Sequence, residues 1–261
     1  MNDLTYLVSA PPQNIDVLKF HSILLKKYWA DCPYETAAVI NDNTIQYNTI
    51  QYNTIIFSGR QKNTIGRLRY ALEKIKTPYV LLSYEDFFIY SPVHTARIKE
   101  LFSVMKEYGA MFFSLTSAFL NDYPYIDTAR RIKEIPENTA YRYNFQVGIW
   151  QKDFLLSLLA DYDNIWDFER QASFNSKGKN TRVLQADYSG YPYIECVRRG
   201  KWLPEGIRLL VNEGLYPDLK IRGILSEFNM LQQSLKGFIF NLNREAITKF
   251  INLFNCGYKA R

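Results

Sequence analysis

Apolar runs and helical stripes alternate along the first 115 residues. Continuous apolar, β-rich runs predict buried strands, and these runs cover residues 4–10, 36–42, 54–59, 79–84 and 110–115. Apolar residues three or four positions apart predict helices, which cover residues 14–28, 63–75 and 95–108. This alternation is typical of an α/β protein. We therefore expect a mostly parallel central sheet that is flanked by helices.

The pattern is less regular after this alternating region. Residues 122–144 are polar, basic and aromatic with weak periodicity, which indicates a long flap. The sequence then predicts a strand that runs into Trp150, a helix over about 152–160, strands at 181–187 and 193–197, and a loop and helix over 200–214.

Two apolar stripes at helical spacing occupy residues 224–261, which carry five Lys or Arg against two Glu. One interpretation is a helical appendage that packs on the domain or on a second subunit, as in a homodimer. The other is contact with an anionic membrane surface. The sequence leaves both interpretations open.

Composition places the chain among ordinary globular proteins. Hydrophobic residues make up 47% and charged residues 22% of the chain. No apolar run reaches the roughly 18 residues that a membrane span needs. The N-terminal residues lack the pattern of a secretory signal, and the three cysteines show no metal-ligand or redox spacing. We therefore expect a cytoplasmic protein with reduced thiols.

The net charge of +6 suits an anionic partner, such as nucleotide phosphates or an anionic membrane surface. Nucleic acid is not expected as a partner, because the basic residues are scattered and form no stripe interleaved with exposed aromatics. The only histidines, His21 and His94, leave little room for a histidine-based zinc site or a Ser-His-Asp triad. We expect both to be structural.

Two adjacent acids, Glu85 and Asp86, end the buried strand at 79–84. Ionised carboxylates are costly to bury without a cation or donor beside them. They could cap the following segment or pair with Arg67 or Arg69 of the preceding helix. They could also hold a divalent cation that bridges to a diphosphate, with the two arginines as phosphate contacts. Ligands of α/β sheets bind at the carboxyl ends of strands, where these acids lie.

The order of these motifs carries a family resemblance. A strand ending in "VSA", a second ending in "IND", and then "GRQKNTIGRLRYALEKIKTPYVLLSYEDFF" resemble the nucleotide-sugar-binding half of GT-A-fold glycosyltransferases. The resemblance is strongest to family-2-like bacterial enzymes of capsule and O-antigen biosynthesis. Their corresponding strand ends in an Asp-x-Asp metal motif. Here the motif reads Tyr84-Glu85-Asp86, so the first Asp is absent. The resemblance implies a Mg2+ or Mn2+ ion held by Asp86 and Glu85.

The segments "FQVGIWQKDFLLSLL" and "DNIWDFE" resemble the acceptor region of the same transferases. The resemblance implies inversion, with Glu169 as the catalytic base and Asp167 as the second choice. It also implies acceptor contacts at Gln146, Trp150 and Trp166. The tryptophans would offer flat faces for sugar rings, and the alternative is that they belong to the core.

The resemblance covers roughly residues 3–205 and implies further contacts with the nucleotide sugar, at Ser9, Ala10, Asp42 and Lys62. We expect a catalytic domain over residues 1–222, divided into a nucleotide-sugar half (1–115) and an acceptor half (116–222), followed by the helical tail (223–261).

The implied activity is an inverting transfer of a sugar from a nucleotide-sugar donor to a surface glycan, with a lipid-linked oligosaccharide as the acceptor. Such an enzyme would be cytoplasmic and peripheral on the inner face of the plasma membrane. Two alternatives remain. A sugar nucleotidyltransferase also uses strand-end acids in an α/β sheet, and a non-catalytic scaffold of a polysaccharide assembly complex would explain the missing first Asp.

Overall fold

The computed structural model describes residues 3–41, 50–59, 63–116, 123–175, 178 and 180–225. The strands in chain order are β1 (Leu4–Ser9), β2 (Glu35–Ile40), β3 (Thr54–Phe57), β4 (Tyr79–Tyr84), β5 (Phe87–Ile89), β6 (Ala110–Ser114), β7 (Tyr125–Asp127), β8 (Ile132–Glu134), β9 (Gly148–Gln151), β10 (Arg182–Ala186), β11 (Tyr193–Glu195), β12 (Val197–Arg198) and β13 (Lys201–Trp202). The helices are α1 (Ile15–Tyr28), α2 (Thr64–Lys74), α3 (Thr95–Glu107), α4 (Lys152–Leu159), α5 (Ile165–Asn175) and α6 (Pro204–Asn212).

A nine-stranded sheet in the order β3-β2-β1-β4-β9-β6-β10-β8-β7 forms the centre of the described structure. Parallel pairing joins β1 to both β2 and β4, and joins β6 to β10. Strand β9 is antiparallel to β4 and β6. The carboxyl ends of β1, β2, β4, β6 and β10 therefore meet at one edge of the sheet, together with the amino end of β9. The predicted fold class, an α/β sheet of mostly parallel strands with flanking helices, is confirmed.

Apolar side chains cover both faces of this sheet. On one face, Tyr6 and Val8 of β1 pack in a cluster with residues of α1 and α3. On the other face, Leu7 packs in a cluster with residues of α2, α4 and α5. Because β1 is buried on both faces, its sequence is a continuous apolar run without alternation.

Strand β9 lies between β4 and β6, so the two predicted halves of the chain share one sheet. A side chain at Gly148 would place its Cβ 2.3 Å from Phe112 Cε2, so glycine is required there. Trp150 on the same strand stacks on Phe112 with a centroid distance of 3.8 Å and is fully buried. Trp150 therefore belongs to the core, which corrects its expected role in acceptor binding.

Two further features differ from the sequence prediction. The acidic-aromatic segment "DNIWDFE" begins helix α5, and the Asn164 side chain accepts a hydrogen bond from the Asp167 amide at 2.9 Å. Part of the predicted flap forms β7 and β8, which extend the sheet beyond β10. Each of these two strands has only three residues, which is too short for a periodic pattern.

Asp42, Lys62 and the predicted helical tail from residue 226 onward lie outside the described residues. No helix in the described part of the chain has the length and apolar character needed to span a bilayer.

His21 lies in the core between two tyrosines. Its Nε2 is 3.2 Å from the Tyr6 hydroxyl, and its Nδ1 is 2.7 Å from the Tyr52 hydroxyl. Burial lowers the pKa of His21 to about 3. The neutral imidazole is therefore the form that the folded core accepts, as expected for a structural histidine.

This burial predicts an acid-sensitive contribution to stability. The unfolded chain binds a proton at His21 below a pH of about 6.5, whereas the folded protein binds one only near pH 3. We expect the free energy of unfolding to fall faster with decreasing pH in the native protein than in His21→Gln, by up to about 1.4 kcal/mol per pH unit. Urea denaturation between pH 7 and 5 measures this difference. Equal pH slopes in the two proteins would contradict the assignment.

Candidate functional site

The carboxyl edge of the sheet carries the acidic pair in the turn between β4 and β5. Glu85 is buried, and its Oε1 accepts a hydrogen bond of 2.6 Å from Asn14 Nδ2. Burial raises the pKa of Glu85 to about 7, and the Asn14 hydrogen bond opposes that rise. Asn14 lies in the segment between β1 and α1, and β1 is the neighbour of β4 in the sheet.

Asp86 is half-buried beside a second acidic residue. Burial raises the pKa of Asp86 well above its usual value, and the negative charges of Glu85 and Glu195 raise it further. Arg198, which forms a salt bridge with Glu195, opposes this rise. The acidic pair therefore lies in a region where negative charge is incompletely compensated.

Arg67 of α2 forms hydrogen bonds with residues at the carboxyl ends of β1 and β2. Its Nε donates to Ser9 Oγ at 3.0 Å, and its Nη1 donates to Asn41 Oδ1 at 3.1 Å. Burial lowers the pKa of Arg67, and the negative charge of Glu85 is the largest effect that opposes this. Arg67 is thus a buried cation that is already bonded to Ser9 and Asn41, and its charge lowers the pKa of Glu85.

The other nucleotide-sugar residues predicted on this side behave differently. Arg69 lies on the exposed outer face of α2. It lines a shallow depression with Gly66, Tyr70 and Glu73. Arg67 is buried and Arg69 is exposed, so the two side chains do not lie on one surface of the helix. Ser9 and Ala10 are fully buried, and the Ala10 amide donates to the Val39 carbonyl at 3.0 Å. Both residues support the floor of the site at the ends of β1 and β2.

Glu169 of α5 lies at the same edge of the sheet, where it contacts the segment before β9. Its Oε1 accepts a hydrogen bond of 2.8 Å from the Phe145 amide. Burial raises the pKa of Glu169 above its usual value. This carboxyl group therefore has a pKa closer to neutrality than an exposed glutamate, which suits a general base.

Tyr84 packs edge-on against Phe145, whose amide holds Glu169, with ring centroids 6.1 Å apart. Burial raises the pKa of the Tyr84 phenol well above 10, and the charges of Glu169, Glu85 and Asp86 raise it further, while Arg67 lowers it. Its buried hydroxyl has no hydrogen-bond partner among the described residues. Tyr84 thus places a buried phenol directly before the acidic pair in the chain.

The other two predicted site residues of α5, Asp167 and Trp166, have different surroundings from Glu169. Asp167 accepts a hydrogen bond from Asn164 Nδ2 at 2.6 Å and forms a salt bridge with Arg170. These two contacts lower the pKa of Asp167. Asp167 is therefore engaged in a helix cap and a salt bridge, and Glu169 remains the first choice of base. Trp166 is 69% exposed on the same helix.

A cavity of about 460 Å3 opens at this edge beside β5 and β11. Gln146 lines it, and its Oε1 accepts a hydrogen bond of 3.0 Å from the Tyr193 hydroxyl. Gln146 was predicted as an acceptor contact, and of the three predicted acceptor residues it is the one that lines this cavity.

The acidic pair offers a divalent cation a limited set of ligands. Within the described ranges, no group of three or more His, Cys, Asp or Glu side chains is placed to hold a metal ion. Glu85 is already engaged by Asn14, so Asp86 is the more available carboxylate. Mg2+ is commonly bound through one or two carboxylates plus substrate phosphates. The residues therefore fit a cation that is shared with a diphosphate and do not form a closed metal site.

Sequence reasoning missed the support of Glu85. The Asn14 side chain donates to Glu85, and its Oδ1 accepts from Arg222 Nη1 at 2.9 Å. Arg222 also binds the Asp16 carboxylate, with contacts of 3.0 and 2.6 Å. Arg222 is 208 positions from Asn14 in sequence, so no local pattern could have linked them.

The chain matches no protein-family model, and no curated protein matches it. Among solved structures, S. aureus TarS 1–349 in complex with UDP is similar over 84% of this chain and 67% of its own length, with 16% identity and a TM-score of 0.48. This chain spans 59% of the TarS 1–349 structure without a named ligand. A UDP-glucose pyrophosphorylase complexed with UDP-glucose is similar over 74% of this chain and 91% of its own, with 12% identity and a TM-score of 0.46.

Proposed function

We propose that this protein is an inverting glycosyltransferase that uses a nucleotide-sugar donor. The proposal rests on one observation: Tyr84, which precedes Glu85 and Asp86, packs edge-on against Phe145 with ring centroids 6.1 Å apart, and the Phe145 amide donates to Glu169. A base and an anchor for a diphosphate are thereby brought together at the carboxyl edge of an α/β sheet, where such folds bind ligands.

Each residue has a distinct role in the proposed reaction. The diphosphate of the donor lies at Asp86, and a divalent cation bound there would neutralise its charge. Glu169 accepts the proton of the acceptor hydroxyl at Oε2, because Oε1 is held by the Phe145 amide. The acceptor oxygen then bonds to the anomeric carbon as the bond from that carbon to the diphosphate breaks. The nucleoside diphosphate leaves with the electron pair.

The finer parts of the proposal come from the family resemblance. We propose a surface polysaccharide intermediate of capsule or O-antigen type, carried on a lipid, as the acceptor. The net charge of +6 supports work at an anionic membrane surface. The predicted helical tail would supply the membrane contact or the interface of a homodimer.

Two observations are also compatible with the alternative functions, a sugar nucleotidyltransferase and a non-catalytic scaffold. The acidic pair at the carboxyl edge would also serve a sugar nucleotidyltransferase, which releases pyrophosphate instead of a nucleoside diphosphate. Tyr84 in place of the first Asp, together with Asn14 on Glu85, favours the scaffold alternative, in which no donor binds.

A donor screen tests these functions against each other. We expect a nucleoside diphosphate sugar with Mn2+ to raise the melting temperature of the protein, because a ligand selective for the native state adds about 2.7 kcal/mol of stability at 100 times its Kd. Product analysis should then show nucleoside diphosphate. Asp86→Asn should lose most of the shift, whereas Asp167→Asn should keep it. Pyrophosphate as the product would establish the nucleotidyltransferase instead, and the absence of a shift with every donor would overturn both activities.

A further inference from the structure

The cavity beside β5 and β11 has the size and place of a second substrate site. Its volume of about 460 Å3 is within the range of small-molecule sites in proteins. We call it the tyrosine cavity. The lining residues used below are Phe87, Tyr90, Gln146, Tyr188, Tyr193 and Glu195.

Residues that line the tyrosine cavity are chain neighbours of the acidic pair and of the residue that holds the base, since Phe87 follows Asp86 and Gln146 follows Phe145. At one end, Glu195 pairs with Phe87 across the two strands, and the Cys196 amide donates to the Asp86 carbonyl at 2.8 Å. At the other end, Gln146 follows Phe145, whose amide holds Glu169. A ligand in the cavity would therefore lie beside the segments that carry the donor anchor and the base.

The chemistry of the lining favours an uncharged sugar ring. Tyr188 is 60% exposed and Tyr90 45% exposed, so both offer aromatic surface to a ligand. The bond from Tyr193 occupies the amide oxygen of Gln146, and the amide NH2 remains as a donor for hydroxyl oxygens. The described lining contains Glu195 and Asp187 but no Lys or Arg. Glu195 is paired with Arg198, and Asp187 with Arg131 and Lys133, so the lining itself offers no cation to phosphate groups or acidic sugars.

One wall of the tyrosine cavity is fixed in place by its backbone. Gly190 has a φ of +75°, and its carbonyl accepts a hydrogen bond of 2.8 Å from the His94 amide. A Cβ at Gly190 would lie 3.0 Å from Cβ atoms of both His94 and Arg97. On the next residue, the Tyr191 hydroxyl lies 2.6 Å from the Tyr6 hydroxyl in the core. The wall is therefore preorganised for a ligand.

We propose that the tyrosine cavity binds an uncharged pyranose of the acceptor and directs one of its hydroxyls to Glu169. This assignment rests on the proposed function. Of the three predicted acceptor contacts, this assignment keeps Gln146 and leaves out Trp150 and Trp166. It adds Tyr188 as a contact.

Ligand-observed NMR with neutral methyl pyranosides tests the cavity directly. We expect saturation transfer to at least one of the methyl glucosides or galactosides in the native protein. Tyr188→Ala and Gln146→Ala should each weaken that binding at least tenfold. Tyr188→Phe, which keeps the ring, should bind nearly as well as the native protein. Trp166→Ala is the matched control, because it removes an exposed aromatic outside the cavity and should leave pyranoside binding unchanged.

The donor-induced melting shift is measured on the same variants, so the two proposals can fail separately. A normal shift without pyranoside binding in the native protein would overturn the cavity assignment and leave the transferase proposal standing. Pyranoside binding without any donor shift would overturn the transferase proposal, and the cavity would remain a sugar site. Tighter binding of glucose 6-phosphate than of the neutral sugars, or loss of binding only in Trp166→Ala, would also overturn the cavity assignment.

Discussion

Glu169→Gln should reduce the kcat of sugar transfer about 10²- to 10⁴-fold, the usual contribution of a general base. The amide keeps the shape of the side chain and can still accept the hydrogen bond from the Phe145 amide, but it cannot take a proton. Donor binding should stay near the native value, because the proposed anchor of the diphosphate is Asp86. Steady-state kinetics and the donor-induced melting shift measure the two effects.

Asp167→Asn is the matched control, since Asp167 is on the same helix but is engaged by Asn164 and Arg170. Its turnover should stay close to native. The pH profile gives a further check. Burial raises the pKa of Glu169, so the acid limb of kcat/KM should lie above the pH at which an exposed glutamate titrates, with activity lost as the pH falls through it. Native turnover in Glu169→Gln would refute the base assignment.

The sheet and the place of the acidic pair could be predicted because both depend on local patterns. A strand buried on both faces is a continuous apolar run, and "YVLLSY" before Glu85 is such a run. The carboxyl ends of parallel strands share an edge, so the strand boundary alone places Glu85 and Asp86 where ligands of α/β sheets bind.

The contacts within the site depend on long-range pairing, which a single sequence does not show. Arg67 and Arg69 are two positions apart, about 200° around a helix, so they cannot face the same ligand, yet only the packing reveals which one is buried. Trp150 lies just before a helix in sequence, a position that gives no sign of burial. In the structure it is on β9, which pairs with β4 and β6 and is buried between them. The link from Arg222 through Asn14 to Glu85 likewise joins distant segments.

Replacing the two arginines of α2 separates structural support from phosphate binding. Arg67→Met should lower the free energy of unfolding by about 1–3 kcal/mol, the usual cost of leaving buried hydrogen-bond partners unsatisfied. The substitution removes the cation that lowers the pKa of Glu85 and the hydrogen bonds to Ser9 and Asn41. Arg69→Met should change stability by no more than about 0.5 kcal/mol, as expected for an exposed residue. Urea denaturation of both variants measures the contrast.

The effect of Arg67→Met should also depend on pH, in a direction set by Glu85. In the native protein the pKa of Glu85 is about 7, and removal of Arg67 raises it further. The folded variant then binds a proton at Glu85 more tightly than the unfolded chain does, so its stability falls as the pH rises above about 4.5. The loss relative to the native protein should therefore be larger at pH 8 than at pH 5.

If Arg67→Met instead keeps native stability at both pH values but loses the donor-induced shift, Arg67 contacts the phosphates, as the family resemblance implies. Loss of that shift in Arg69→Met would move the diphosphate to the outer face of α2, away from Asp86.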